Sequence, residues 1–484
     1  MKNLKELLTG VERVKIFGQL DQMVSGFCQD SRSITGGQIY VAIKGFTVDG
    51  HQFIPDVLKK GIKVVLCEDN PDQSLDSSCF IVCENLHETL IQLLNRFYEN
   101  PADQLCIVGV TGTNGKTTVA SLLYQLYMEL GYRAALISTV EIRILNSKWE
   151  STHTTPDCIK LYELLDNIRE NSCEYVFMEV SSHAVDQGRI DGINYKVGIF
   201  TNLTQDHMDY HKTMDHYLKS KKKFFDRLTK ESIAIYNGDD KNGQVMIQNT
   251  RAKRVSYGLK GMYDYKIKIL ENNLSGLYLK YEHTELYSKL IGEFNAYNLL
   301  AVIATAIELG EHRDTVLEGL STLSSVKGRF EWMSSISTKK IGIVDYAHTP
   351  DAVEKIVQNI KAIKQKEQRV ITVLGCGGNR DEKKRPIMAK TAVELSDFVI
   401  FTSDNPRNED PQLIIQQMEA GVPLELQSKY LSVVDRKQAI KTACQLAKNQ
   451  DIILVAGKGH ETYQEIKNVK HDFDDYKILK EFIA

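Results

Sequence analysis

Ten residues, GVTGTNGKTT at 109–118, place three glycines, a lysine and two closing threonines between an apolar run and a helix-forming one. Glycines let backbone amides turn toward phosphate oxygens, and the N-terminus of the following helix adds a favourable dipole. In such a loop Gly112, Thr113, Asn114 and Gly115 would cradle a nucleotide. Lys116 would reach the β- and γ-phosphates, and Thr117 would ligate Mg²⁺. The strict phosphate-loop pattern misses by one position, because Val110 stands where its first glycine belongs.

In open α/β sheets ligands bind beyond the carboxyl ends of the strands. EYVFMEV (174–180) leads from Glu179 into Ser181, Ser182 and His183. KVGIFTN (196–202) runs into Asp206, His207, Asp209 and His211. A carboxylate at a strand tip beside the phosphate loop suits a second magnesium contact, since hard oxygen ligands fit Mg²⁺. His207 and His211, four residues apart, could instead hold Zn²⁺. The phosphate loop already calls for magnesium, however, and no cysteine lies close by. Farther on, four strand-like runs end in charged loops: DYAHTPD (345–351), GCGGNRDEKKRP (375–386), SDNPRNEDP (403–411) and AGKGHETY (456–463). Loops after parallel strands share one sheet edge, so Arg380, Asp404, Asn405, Arg407, Lys458, His460 and Glu461 should converge. Acids and bases together point to a zwitterionic ligand.

The elements that must position these residues form an α/β chain. At roughly 150 residues per domain, 484 residues suggest about three domains. Short apolar strands (QIYVAI, KVVLCE, CFIVCE) fill the first hundred residues. After PADQ, apolar strands alternate with amphipathic helices, the pattern of a parallel sheet wrapped in helices. One helix should carry Val119, Leu122, Leu123, Leu126 and Leu130 on a single face and stop at Gly131. The stretch near 256–290 reads as antiparallel strands, and the alternation restarts after KGRFE (327–331).

Composition excludes other classes. With 42% hydrophobic and 25% charged residues the chain is neither collagen-like, nor disordered, nor a disulfide scaffold. Sixty basic against 63 acidic residues leave a net charge of −3, so no global field favours nucleic acid or an anionic membrane. No apolar run approaches the ~18 residues of a membrane helix, and MKNLKELLTGVERV lacks a signal-peptide core. A cytoplasmic protein is expected. The nine cysteines form no CxxC and read as reduced, buried thiols.

These residues together resemble the Mur ligases, the ATP-dependent amide-forming enzymes of peptidoglycan precursor synthesis, and within them the members that add the third amino acid. The matching strings include DSR (30–32), KGFTVDGH (44–51), TGTNGKTT (111–118), TTP (154–156), MEVSSHAVDQGR (178–189), FTNLTQDHMDYH (200–211), FNAYN (294–298), GRFE (328–331), DYAHTP (345–350), GCGGNRD (375–381), DNPR (404–407) and AGKGHE (456–461). The resemblance implies three domains: residues 1–101 for the UDP end of the substrate, a central phosphate-loop, mononucleotide-binding parallel sheet over 102–328 for ATP, and a C-terminal Rossmann-like domain over 329–484 for the amino acid. It implies substrates ATP, UDP-N-acetylmuramoyl-L-Ala-D-Glu and meso-diaminopimelate, with Mg²⁺, no nucleic acid, no membrane insertion and a monomeric state.

Carried over position by position, Ser31 would contact the uridine-diphosphate end, and Thr154, Thr155, Ser181, Gln187 and Arg189 the muramoyl-dipeptide. Asn295 and Asn298 would face the adenine, Arg329 the phosphates and Asp345 the ribose. Lys221, flanked by Tyr217 and Phe225, resembles the family's carbamylated lysine, which with Thr117, Glu179 and His207 would hold the metal ions. Arg407, in the loop of Asp404, Asn405 and Pro406 and aided by Arg380 of the GCGGNRD loop, would grip the distal carboxylate of diaminopimelate, and Gly457 and Glu461 its ammonium. Two positions depart from the family pattern. His153 replaces an Asn before Thr-Thr, which should alter a substrate contact. Lys327 replaces a Pro before Gly-Arg, which should loosen a hinge. A folylpolyglutamate-synthetase-like ligase would lack the DNPR loop and the DSR/KGFTVDGH pair. A nucleotide switch would need neither the modifiable lysine nor four charged loops.

Overall fold

LCIVGVT is apolar on both faces, and the chain buries it in the middle of its largest sheet. The computed structural model describes residues 1–45, 48–69, 78–151 and 153–484. Phe46 and Thr47 of KGFTVDGH lie outside the described residues. In the eleven-stranded central sheet, Cys106–Thr111 runs between Tyr175–Glu179 and Val197–Phe200, parallel to both. The chain therefore leaves the central strand to one side and returns on the other. That reversal opens a crevice at the carboxyl ends of these three strands, where open α/β sheets bind ligands. At one edge Glu141–Ile144 and Ser147–Glu150 form a hairpin. At the other, Tyr265–Asn273, Gly276–Tyr281 and Thr284–Ser288 form the expected antiparallel meander.

The helix Lys116–Glu129 departs from the one-faced expectation. It buries Val119, Ala120, Leu122, Leu123, Tyr124, Leu126 and Tyr127, so apolar residues line most of its circumference. The reason is that it is covered twice, by the sheet and by the helix Glu293–Glu308 packed against it. A helix sandwiched in this way has little solvent face to mark with charge. Gly131 does end it, with φ +89° and its amide donating to the Met128 carbonyl.

The N-terminal sheet orders Val14–Phe17, Cys79–Cys83, Val64–Cys67, Gln38–Val41 and Gly26–Cys28. Its two middle strands are wholly buried, as continuous apolar runs require when both faces are covered. The C-terminal sheet orders Glu331–Ser334, Ile341–Asp345, Ile452–Ala456, Val370–Cys376, Phe398–Ser403 and Tyr430–Ser432, parallel except at its first strand. The four charged loops thus leave one edge of one parallel sheet. All nine cysteines are free, seven of them buried. Among the described residues no helix is long and apolar enough to cross a membrane.

Candidate active site

Glycine is demanded at the phosphate loop by both backbone and space. Gly112 has φ +149°, and a Cβ there would sit 1.9 Å from Thr201 Oγ1. Gly115 has φ +87°, and a Cβ there would sit 2.7 Å from the Asn298 amide oxygen. The loop is also tied to the neighbouring strand end: Asn114 N donates to Asn202 Oδ1 (2.9 Å), while Thr201 Oγ1 and Asn202 Nδ2 donate to the Asn114 carbonyl (2.6 and 3.0 Å). Thr201 and Asn202 carry no charge, so only their place at a strand tip and in the string FTNLTQDHMDYH marks them in the sequence.

Two lysines meet on this loop. Lys116 Nζ donates to the carbonyls of Gly112 (3.0 Å) and Thr113 (2.7 Å), and Lys221 Nζ donates to the same Gly112 carbonyl at 2.7 Å. Lys221 is 1% exposed and its ammonium lies 4.7 Å from the Tyr217 ring centre. Burial, and then the Lys116 charge, push the Lys221 amine well below its ordinary value. Burial also lowers Lys116, against the opposing pull of Glu179 and Asp206. Two ammonium groups on one carbonyl favour losing a proton from the more enclosed amine.

Glu179 is fully buried at its strand tip. Its Oε1 accepts from Thr139 N at 2.7 Å, while Oε2 has no partner among the described residues. His207 lies beside Asp206 (3.4 Å) and packs edge-on to His183. Burial lowers its imidazole to about 3, so it is neutral at pH 7. A buried carboxylate oxygen without a partner, the Thr117 hydroxyl, a neutral imidazole and an amine that can become a carbamate make an oxygen-rich set that fits Mg²⁺. His207 and His211 do not share a helix face, because His207 stands at φ +56° before the single turn Met208–His211.

The expected dipeptide residues come together on the next loop. Thr155 Oγ1 donates to the Glu179 carbonyl (2.8 Å), Arg189 NH1 to the Thr155 carbonyl (3.0 Å), and Arg189 Nε and NH2 to Gln187 Oε1 (2.9 and 2.6 Å). Thr154 Oγ1 accepts from Thr139 Oγ1 (3.0 Å), and Ser181 caps the helix Ser182–Asp186 through Ala184 N. Exposed His153 holds Ser151 Oγ on its carbonyl at 2.8 Å. Ser31 lies in the turn after the N-terminal strand Gly26–Cys28, its carbonyl taken by Lys60 Nζ at 2.6 Å.

The C-terminal sheet reaches this crevice directly. Arg329 NH2 donates to Thr117 Oγ1 (3.0 Å), with the guanidinium stacked 4.6 Å over Tyr346. Asp351 Oδ2 accepts from Asn114 Nδ2 (3.3 Å) and Thr204 Oγ1 (2.9 Å). Sequence reasoning passed over Asp351, since an acid after Thr-Pro reads as ordinary first-turn charge. Asp345 has both oxygens engaged by backbone amides, of Phe330 (2.7 Å) and Ala347 (2.8 Å). Asn295 and Asn298 are buried and bonded to each other (3.0 Å), with Asn295 Nδ2 on the Ile291 carbonyl. At Lys327, where a looser hinge was expected, Nζ pairs with Asp474 at 3.2 Å and so reaches the cap of the last helix.

The charged loops converge as the strand order requires. Arg407 NH1 donates to the Gly378 carbonyl (2.8 Å), and its Nε lies 3.3 Å from Glu465. A Cβ on Gly377 would meet Arg407 NH1 at 3.1 Å and Arg380 Cγ at 3.8 Å, so both arginines border this glycine. Glu461 was expected to await an ammonium, but its Oε2 already accepts from Asn405 Nδ2 (2.7 Å) and the fully buried Lys458 Nζ (3.0 Å). Burial and the neighbouring Asp404 raise the Glu461 carboxyl. Asp404 turns inward, its Oδ2 2.6 Å from a Cβ position on Gly457 and 3.9 Å from Arg436 NH1. Pro406 packs its carbonyl against Gly378.

Arg436 holds the floor of this region. Its side chain is fully buried and pairs with buried Asp475 through Nε (2.8 Å) and NH2 (2.7 Å). Removing it strands two carboxylates out of water. We expect Arg436→Ala to cost about 3–5 kcal/mol of stability, read as a lower urea midpoint at unchanged slope. A loss under 1 kcal/mol would contradict the role given to this ion pair.

A phosphate loop at a sheet reversal, closed over by the charged strand ends of a second parallel sheet, defines a three-sheet nucleotide-binding enzyme. Three segments match known families in order: residues 24–98 the Mur ligase family catalytic domain, 110–306 the Mur ligase middle domain, and 328–459 the Mur ligase glutamate ligase domain. The chain belongs to the Mur ligase family. It is 50% identical, over 99% of both chains, to the UDP-N-acetylmuramoyl-L-alanyl-D-glutamate–2,6-diaminopimelate ligase of Cytophaga hutchinsonii. It is 49% identical, over the same share of both, to the ligase of that name from Bacteroides fragilis. A solved structure of a ligase of that name is 30% identical with a TM-score of 0.68, covering 100% of this chain and 98% of that one.

Proposed function

We propose that this enzyme joins meso-diaminopimelate to UDP-N-acetylmuramoyl-L-Ala-D-Glu in an ATP-dependent, ADP-forming reaction of peptidoglycan precursor synthesis. The observation that carries the reading is the phosphate loop on which Lys116 and Lys221 share the Gly112 carbonyl, faced by Arg329 and Asp351 from the sheet that bears Arg407. The division of labour is 1–101 for the UDP end, 102–328 for ATP and 329–484 for the amino acid.

A carboxylate cannot form an amide directly, because oxide is a poor leaving group. In the first step an oxygen of the D-glutamyl γ-carboxylate bonds to the γ-phosphorus, and the bond from that phosphorus to the β-bridging oxygen breaks, releasing ADP. Lys116 and the loop amides hold the charge spread over the transferring group. Arg189, Thr155 and Gln187 orient the dipeptide carboxylates. In the second step the amine of diaminopimelate attacks the acyl phosphate; the tetrahedral intermediate expels phosphate, and the nitrogen loses a proton. No side-chain nucleophile is required.

Thr117, Glu179, His207 and a carbamate on Lys221 would hold Mg²⁺, which supplies charge neutralisation at the phosphates. Burial, which lowers the Lys221 amine, favours the neutral form that adds CO₂. Arg407 donates bidentately to the distal carboxylate of the amino acid.

The test is phosphate release with ATP, Mg²⁺ and the muramoyl-dipeptide, run with meso-diaminopimelate, with L-lysine and with no amino acid. Release with diaminopimelate alone is expected. Release with lysine instead would overturn the assignment of Arg407, and release with neither would overturn the reaction.

A further inference from the structure

We propose that Asp186, His211 and His216 form a second cation site, separate from the phosphate loop, that takes a borderline divalent metal of the zinc type. Each offers one ligand atom, and the three lie within 4.8 Å of one another. They come from three segments: the end of Ser182–Asp186, the end of Met208–His211 and the first turn of Met214–Asp226.

Surrounding bonds fix which atoms are free. His211 is buried, with Nε2 2.9 Å from Ser182 Oγ. With Nε2–H donating to that hydroxyl, the Nδ1 lone pair faces the His216 ring at 3.4 Å and Ser220 Oγ at 3.5 Å, whose own proton goes to the His216 carbonyl at 2.9 Å. His216 Nδ1 lies 3.2 Å from the His211 carbonyl, which can only accept, so its proton sits on Nδ1 and Nε2 is open. That Nε2 is 3.7 Å from Asp186 Oδ1. The other Asp186 oxygen accepts from Tyr210 OH at 3.1 Å. Oriented imidazoles and a hydrogen-bonded carboxylate are what second contacts around a metal provide.

Two imidazoles and one carboxylate suit zinc better than magnesium, with a water as fourth ligand. Burial and the neighbouring histidines push His211 down to about 4, so it ligates at neutral pH without giving up a proton. The ligand atoms must draw in by up to about 1.5 Å to span a tetrahedron with bonds of about 2.0 Å. Lys223 Nζ, 3.2 Å from Asp186 Oδ1, must swing away; its side chain is half exposed and free to do so. A bound metal would fasten the helix after the Glu179 strand to the helix that carries Lys221.

The experiment titrates chelator-stripped full-length protein with Co²⁺, whose visible d–d bands report tetrahedral binding, and then displaces it with Zn²⁺. One tight equivalent is expected, without a thiolate charge-transfer band. His216→Ala and Asp186→Asn should each weaken it about tenfold to 100-fold. Zn²⁺ should raise the Tm of the native protein but not of His216→Ala, which keeps its phosphate release in Mg²⁺. Bands of equal strength in both variants, or no tetrahedral band in the native protein, would overturn the site.

Discussion

Lys116→Ala is expected to lower kcat by about 10²–10³-fold while leaving the KM for diaminopimelate within about twofold. The lysine heads the helix Lys116–Glu129 and curls back onto the carbonyls of Gly112 and Thr113. Its ammonium is therefore held where the loop amides direct a phosphate, and its charge is needed most as the β–γ bond breaks. The amino-acid loops hang from a different sheet, so ground-state binding of the amine should not change. Lys116→Arg should recover little, because a planar fork cannot sit on both loop carbonyls and still present a compact charge. The measurement is steady-state phosphate release across ATP and diaminopimelate concentrations. Intact turnover in Lys116→Ala would remove the phosphate loop from the reaction.

That Lys116 could be singled out at all reflects how narrow the chemistry of a phosphate loop is. Gly112 and Gly115 occupy backbone conformations closed to other residues, so their spacing survives into the sequence as a pattern. The charged loops were legible for a topological reason: parallel strands end on one edge, and DNPR and GKGHE each follow one. The inward roles were not legible. Arg436 and Asp475 read as ordinary helix-end charges in VDRKQ and DDYK, and only their burial shows otherwise. Asp351 is a first-turn acid to the eye and an interdomain tie in space. Asp186, His211 and His216 are joined by the packing of three helical segments, which no spacing rule encodes. Val14–Phe17 escaped notice because it is a short, largely exposed edge strand without the apolar alternation that marks a half-buried one.

Arg407→Ala is expected to cut kcat/KM for diaminopimelate by about 10²–10³-fold and leave the KM for ATP unchanged. The residue is held before any substrate arrives. Its backbone sits at φ +51°, a costly conformation for a side chain of this kind, and is fixed by the Glu465 carbonyl (3.0 Å) and the Lys467 amide (2.7 Å) of the hairpin Tyr463–Asp472. With NH1 on Gly378 and Nε beside Glu465, the remaining NH2 donors have no partner among the described residues. A guanidinium fixed on one side and open on the other is set to receive a carboxylate. Lysine brings no distal carboxylate, so Arg407 would stay unmatched and discrimination would follow. The decisive readout is the ratio of diaminopimelate to lysine turnover. Loop damage would lower both rates and keep the ratio; loss of a specific carboxylate contact should collapse it toward unity. A variant that is slower but still as selective would show that Arg407 shapes the loop without reading the substrate.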